Sequence, residues 1–247
     1  METSDGQSRP PAQRTRRWQL FAACLLLGGC GNHDENVESV ESSQPENGVV
    51  ENVSDPKGAY EQVCITCHGP NGEGNEDVKS PSIAGLPAWY IEEQFRKFRE
   101  GQRGAHQDDG PGQQMRAIAL SLSEDQIKEA AETVSSMPIV LTEKPGSDAN
   151  IEKGRYIFAN HCMECHRYNG KGEVVFHSAQ LISLNRSYLR RQLKNFHAGV
   201  RGGEEGDISG NKMVDVTSRL NDEQIEILVD YIGALAHGDD PRPARER

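Results

Sequence analysis

Displaced by 98 residues, the chain falls on itself without a gap from Cys64 to Ile127. "CITCH" (64–68) lands on "CMECH" (162–166), and Asn71, Gly72 and Gly74 on Asn169, Gly170 and Gly172. Tyr90 lands on Tyr188, Gln94 on Gln192, Phe98 on Phe196, Gly101 on Gly199, Arg103 on Arg201 and Met115 on Met213. A period this long signals a duplicated domain rather than a solenoid, because each copy can close a small core of its own. The boundary lies near "TEKPGSD" (142–148), which carries a Pro-Gly turn signal. The expected domains are residues 56–143 and 147–237, followed by a flexible tail, 238–247.

Each copy reads as helical, and the expected fold class is all-α. Ile91, Phe95 and Phe98 recur at helical spacing, as do Leu189, Leu193 and Phe196 in the second copy. Ser123 with Gln126, and Asn221 with Gln224, mark N-caps of the last helix, the first with the signature of a capping box. No segment shows convincing strand alternation.

What precedes the repeats belongs to export. Arg14, Arg16 and Arg17 stand before the uncharged run 18–29, too short to span a bilayer and suited to a signal peptide, 1–29. Its end, Leu27-Gly28-Gly29-Cys30, resembles a bacterial lipobox, which implies cleavage before Cys30 and lipid on its sulfur. Residues 31–55 hold seven Asp or Glu, no Lys or Arg and no aromatic side chain. The stretch 30–55 is therefore expected to be an acidic, disordered tether. The whole chain has a formal charge of −11, which argues against a nucleic-acid partner.

Four of the six cysteines remain, as two Cys-x-x-Cys-His motifs. Zinc is one reading of such pairs. It gives no reason for a His directly after each pair, or for one pair in each of two separate repeats. A thioredoxin-like dithiol lacks its strand–helix context. The motif suits covalent attachment of c-type haem. Cys64 and Cys67, and likewise Cys162 and Cys165, would form the thioethers, and His68 and His166 would reach the iron. A group held covalently need not be fully enclosed, which suits a unit this small. Met115 and Met213 each lie 47 residues beyond their His. They are the candidates for the second axial position, Met/His being a ligand pair of many c-type cytochromes. Met137 falls on Leu235 and reads as core. Met163 lies between two cysteines and cannot reach the distal face. His106, His177 and His197 have no His counterpart and read as surface residues.

With these motifs in place, residues 56–237 resemble the dihaem class I cytochromes of the cytochrome c4 type. The resemblance implies two tandem all-α domains, each wrapped around one covalent haem c, packed with haem edges facing and serving electron transfer. It also places Tyr90 and Tyr188, with Arg103 and Arg201, near the haem propionates. Pro81 supplies the carbonyl for the ring N–H of His68. Ala179 stands where the family has that proline in the second copy, which predicts a looser bond to His166. With Arg167 and Lys171 where the first copy has Gly69 and Glu73, the looser bond predicts a second haem more oxidising than the first.

The expected function is single-electron transfer by a carrier rather than an enzyme, lipid-anchored on the periplasmic face of a bacterial membrane. The redox partners would be a donor dehydrogenase or cytochrome complex and a terminal oxidase or other high-potential acceptor. The alternatives are an electron-accepting subunit of a periplasmic dehydrogenase complex and a dihaem peroxidase, against which the two equally placed methionines argue.

Overall fold

The computed structural model describes residues 58–242. The expected signal peptide, the expected tether and Cys30 lie outside them, as do the last five residues. The first copy opens with a π-helical turn, Tyr60–Cys64, which runs into α1, Ile65–His68. It continues with α2 (Ala88–Arg99), α3 (Gly110–Ser121) and α4 (Glu124–Ser136). The second copy comprises α5 (Ile151–His161), α6 (Met163–His166), a 3-10 turn (Val174–Phe176), α7 (Arg186–His197), α8 (Ile208–Thr217) and α9 (Asp222–Ala236). The starts of α1 to α4 and of α6 to α9 differ by 98 residues, so the repeat is a repeat of helices. Among the described residues there is no strand, only the isolated bridges Asn75–Ser80 and Glu173–Ser178, again 98 apart.

Local signals set the helix starts. Asp109 and Asp207 accept from the backbone N–H of Gly112 and Gly210, three residues on, and so begin α3 and α8. Ser123–Gln126 forms a capping box at α4, and Asn221–Gln224 forms a second one at α9. The second box is absent from a strict Ser/Thr pattern but works in the same way, because the Asn carbonyl oxygen replaces the hydroxyl as acceptor.

α2 packs on α3 and α4, and α7 on α8 and α9, while α5 lies along α9. Tyr90, Ile91, Phe95 and Phe98 of α2 are buried against Ile127, Ala131 and Val134 of α4. Leu189 and Leu193 of α7 meet Ile225, Val229 and Ile232 of α9 in the same way. Burying side chains of this size contributes about 1.5–3 kcal/mol each before the entropy of ordering them. Met137 joins the first core, with its sulfur against Gly72.

The connection between the copies is fastened to the second. The Thr142 N–H donates to the Ile182 carbonyl (2.7 Å) and its hydroxyl to that of Leu184 (2.8 Å). The copies also touch directly through side chains. Lys97, only 6 % exposed, reaches from α2 to Asp207 (2.8 Å) and to the Ser209 hydroxyl (2.5 Å) beside the start of α8. Asn185 accepts from the buried N–H of Ser82 (3.3 Å).

Candidate functional site: two adjoining haem cavities

Each copy holds a largely apolar cavity beside its Cys-x-x-Cys-His turn, the first lined by α2, α3 and α4 and the second by α7 and α8. His68 ends α1 and His166 ends α6, and both are buried. The Nδ1–H of His68 donates to the Pro81 carbonyl at 3.0 Å, and that of His166 to the Ala179 carbonyl at 2.9 Å. Burial pushes both imidazoles below the ordinary histidine range, the carbonyls opposing in part. A neutral ring whose Nδ1–H is engaged leaves the Nε2 lone pair for a metal.

The equal lengths correct one expectation: the bond at Ala179 is no looser than the bond at Pro81. The carbonyl is held by its loop instead of by a pyrrolidine ring. The Ser178 hydroxyl donates to the Cys165 carbonyl (2.6 Å), and residues 173 and 178 bridge. Gly172, at φ 73°, passes so close that a Cβ would lie 2.3 Å from the Ser178 oxygen and 2.7 Å from that of Ala179. The loop can take this path only with glycine there.

Cys64, Cys67, His68, Pro81 and Met115 line the first cavity. Cys162, Cys165, His166, Ala179 and Met213 line the second. The methionines come from α3 and α8, across the cavity from the histidine turns in the chain path, so each cavity brings together the residue types predicted for it. Burial, then the neighbouring cysteine, pushes the Cys64 thiol up to about 11 and the Cys162 thiol up to about 12. None of the four is in a disulfide, and among the described residues no three His, Cys, Asp or Glu converge on a metal site. His106 and His197 lie outside both cavities. His177 stands at the mouth of the second, its Nδ1 against the Glu93 carboxylate (2.9 Å).

The cavities adjoin. Tyr90, Gln94, Tyr188 and Gln192 line both of them. Arg103 donates to Gln94 Oε1 (2.8 Å) and to the Tyr188 hydroxyl (2.6 Å), across the domain boundary. Arg201 donates to Gln192 Oε1 (2.6 Å) and crosses back to Gln94 (3.0 Å). Each guanidinium also lies over the phenylalanine of its own copy, Phe98 or Phe196, at 4.5 Å. Burial alone would raise the Tyr188 hydroxyl, but Arg103, Arg201 and Arg191 outweigh it and hold its pKa below the usual phenol value. The junction therefore carries an excess of positive charge in an apolar wall.

That excess suits haem. A porphyrin fixed at one edge by thioethers presents two carboxylates at the opposite edge, and those carboxylates need cations. The Nε of Arg103 is buried without a partner, a donor aimed at a ligand of this kind. An apolar cavity, a neutral imidazole, a thioether sulfur, a thiol pair and buried guanidinium groups together fit the group. Repetition had singled out Gln94 and Gln192 without a role; they are the acceptors that orient both arginines. Lys97 and Arg191 break the repeat, standing where the other copy has Asn195 and Glu93, and a charge lost or reversed between copies is itself a signal.

Comparison with known proteins agrees. The family model described as "Cytochrome c" matches residues 53–137 and again 151–236. The thiosulfate dehydrogenase electron acceptor of Stutzerimonas stutzeri (strain A1501) is 25 % identical over 178 residues, covering 68 % of this chain and 77 % of that one. The crystal structure of reduced recombinant cytochrome c4 from Pseudomonas stutzeri is 25 % identical with a TM-score of 0.59, over 72 % of this chain and 95 % of that one. Thiosulfate dehydrogenase from Marichromatium purpuratum is 25 % identical with a TM-score of 0.58, over 72 % of this chain and 39 % of that one. The chain carries two covalent haem c groups on its two motifs and belongs to the cytochrome c family, as a tandem electron carrier of the cytochrome c4 type.

Proposed function

We propose that the protein is a lipid-anchored single-electron carrier on the periplasmic face of a bacterial membrane, passing electrons towards a terminal oxidase or another high-potential acceptor. The observation that carries this reading is the shared wall. Five side chains, Tyr90, Gln94, Leu184, Tyr188 and Gln192, line both cavities, so the two redox centres are neighbours in one molecule. Bound there, haem iron supplies a one-electron couple of raised potential under Met/His ligation. The chain's own residues do the rest. His68 and His166 would each bind iron through Nε2, oriented by their carbonyl bonds. Met115 and Met213 would bind it through sulfur and would leave no position open for substrate. Arg103 and Arg201 offset the propionate charge, and the apolar walls keep water reorganisation small. Cys30 carries the lipid, and the segment from 30 to 55 gives the domains reach from the membrane.

The test uses the intact protein from bacterial membranes. The oxidised form should show the weak methionine–iron band and no high-spin signal, and Cys30→Ser should leave a haem-loaded protein in the soluble periplasmic fraction. High-spin haem would overturn the carrier reading in favour of a peroxidase. Membrane retention of Cys30→Ser would overturn the lipid anchor.

A second reading has a specific observation behind it. Relatives from Stutzerimonas stutzeri and Thiomonas intermedia are named as thiosulfate dehydrogenase electron acceptors. On that reading the protein is the electron-accepting subunit of a periplasmic dehydrogenase. Stoichiometric co-purification with a dehydrogenase that reduces it would decide for this reading.

A further inference from the structure

The junction between the copies is not symmetric. Position 191 holds Arg where its counterpart, position 93, holds Glu. Arg191 belongs to α7 of the second domain, yet it lines the first domain's cavity. Its guanidinium lies over the Tyr188 ring at 5.4 Å, and one Nη donates to the Lys79 carbonyl of the first domain at 2.7 Å. Its Nε is buried and has no partner. Arg103 Nε, in the same cavity, is also buried and unpartnered. The first cavity thus holds two orphaned guanidinium donors, one from each domain. Glu93, by contrast, does not line the second cavity. It is engaged instead by His177 (2.9 Å) and by the buried Lys97 (3.2 Å).

We propose that Arg191 binds a propionate carboxylate of the first haem, so that the second domain supplies, across the boundary, a cation that poises the first domain's redox centre. A buried donor without an acceptor costs stability unless a ligand supplies one. A haem attached at Cys64 and Cys67 would turn its carboxylate edge away from that turn, and two carboxylates there would match the two unpartnered Nε–H donors of Arg103 and Arg191. The pairing is charge-assisted and planar, the geometry in which Arg exceeds Lys. A cation held there disfavours the extra positive charge of ferric iron and so favours reduction. The device runs one way only, because nothing at position 93 returns it. The first haem's potential then depends on the domains being docked, and whatever moves the second domain shifts the first haem.

The experiment is a redox titration of the full dihaem protein, with the haem-methyl NMR resonances assigned to each haem so that each is followed separately. Arg191→Gln should make the first haem about tenfold harder to reduce, about 59 mV for a one-electron couple. The second haem should stay at its wild-type midpoint. The first midpoint should also become more dependent on pH near neutrality, since a propionate that has lost its cation binds a proton more readily. Arg191→Lys should recover most of the midpoint. The proposal is overturned if thermal stability falls while both midpoints and their pH dependence stay unchanged, which is the signature of a purely structural contact. It is also overturned if only the second haem shifts.

Discussion

At the residue scale, the methionines are the sharpest point. The chain offers five, and one repeat offset separates two of them from the rest. Met115 and Met213 line the cavities, whereas Met137 packs on Gly72 in the core. Met213→Ala should open the second iron, which carbon monoxide binding to the reduced protein will read as a new optical band. Met137→Ala should bind no carbon monoxide and should instead lose about 2–5 kcal/mol of stability, at the lower end because Met137 is only partly buried. Carbon monoxide binding by Met137→Ala but not by Met115→Ala would show the wrong ligand. Ala179→Pro should leave the second haem's potential unchanged, since the carbonyl is already held at 2.9 Å.

At the scale of elements, α5 and α9 are tied at the far end of the second copy. Arg155 of α5 donates through Nε (3.0 Å) and Nη2 (2.7 Å) to the two carboxylate oxygens of Asp239, just beyond α9. The Tyr231 hydroxyl of α9 donates to the same carboxylate (3.1 Å). The Arg155 bonds hold the Asp239 carboxyl below its ordinary value. A folded-state value lower than the unfolded one gives stability that is complete above the ordinary carboxylate range, about pH 4. That stability is lost as pH falls through the lower folded value. The pair is partly exposed, so its worth is about 1 kcal/mol. Asp239→Asn should therefore lower the thermal midpoint at pH 7 and leave stability flatter below pH 4 than in the wild type. Parallel curves for the two proteins down to pH 2 would show that the clamp contributes nothing.

At the scale of the whole molecule, the duplication has diverged in charge. Residues 53–137 carry fourteen acidic and eight basic side chains, and residues 151–236 carry eleven of each. Negative surroundings favour ferric iron, so the second haem should be the more oxidising, with Arg191 offsetting part of the gap. Redox titration at two ionic strengths checks this: the gap should narrow as salt screens the exposed charges. A lower potential for the second haem would refute the charge argument. The domains themselves are locked by Lys97, which is buried against Asp207 of the other copy. Lys97→Met should leave that carboxylate buried beside Glu93 and cost about 3–5 kcal/mol, read in denaturant unfolding. A change under 1 kcal/mol would mean that water replaces the ammonium group.

The helices, the haem turns and the ligand pairs were legible without a structure, for one physical reason. They depend on local spacing: a step of three between capping partners, of three or four between helix-face residues, and of three between the thiols. Duplication then wrote each of them twice, which separates Met115 and Met213 from Met137. Contacts between the copies follow no such spacing. Lys97 meets Asp207 and Arg191 meets Lys79 at separations of more than a hundred residues. Such pairings arise from the docking of the two copies, and from positions where the repeat is broken rather than kept. The bond from His166 to the Ala179 carbonyl belongs to the same class. It looked weak from residue type, because proline is the local way to fix a carbonyl. The tertiary loop, pinned by Ser178 and by the close pass of Gly172, fixes it by other means.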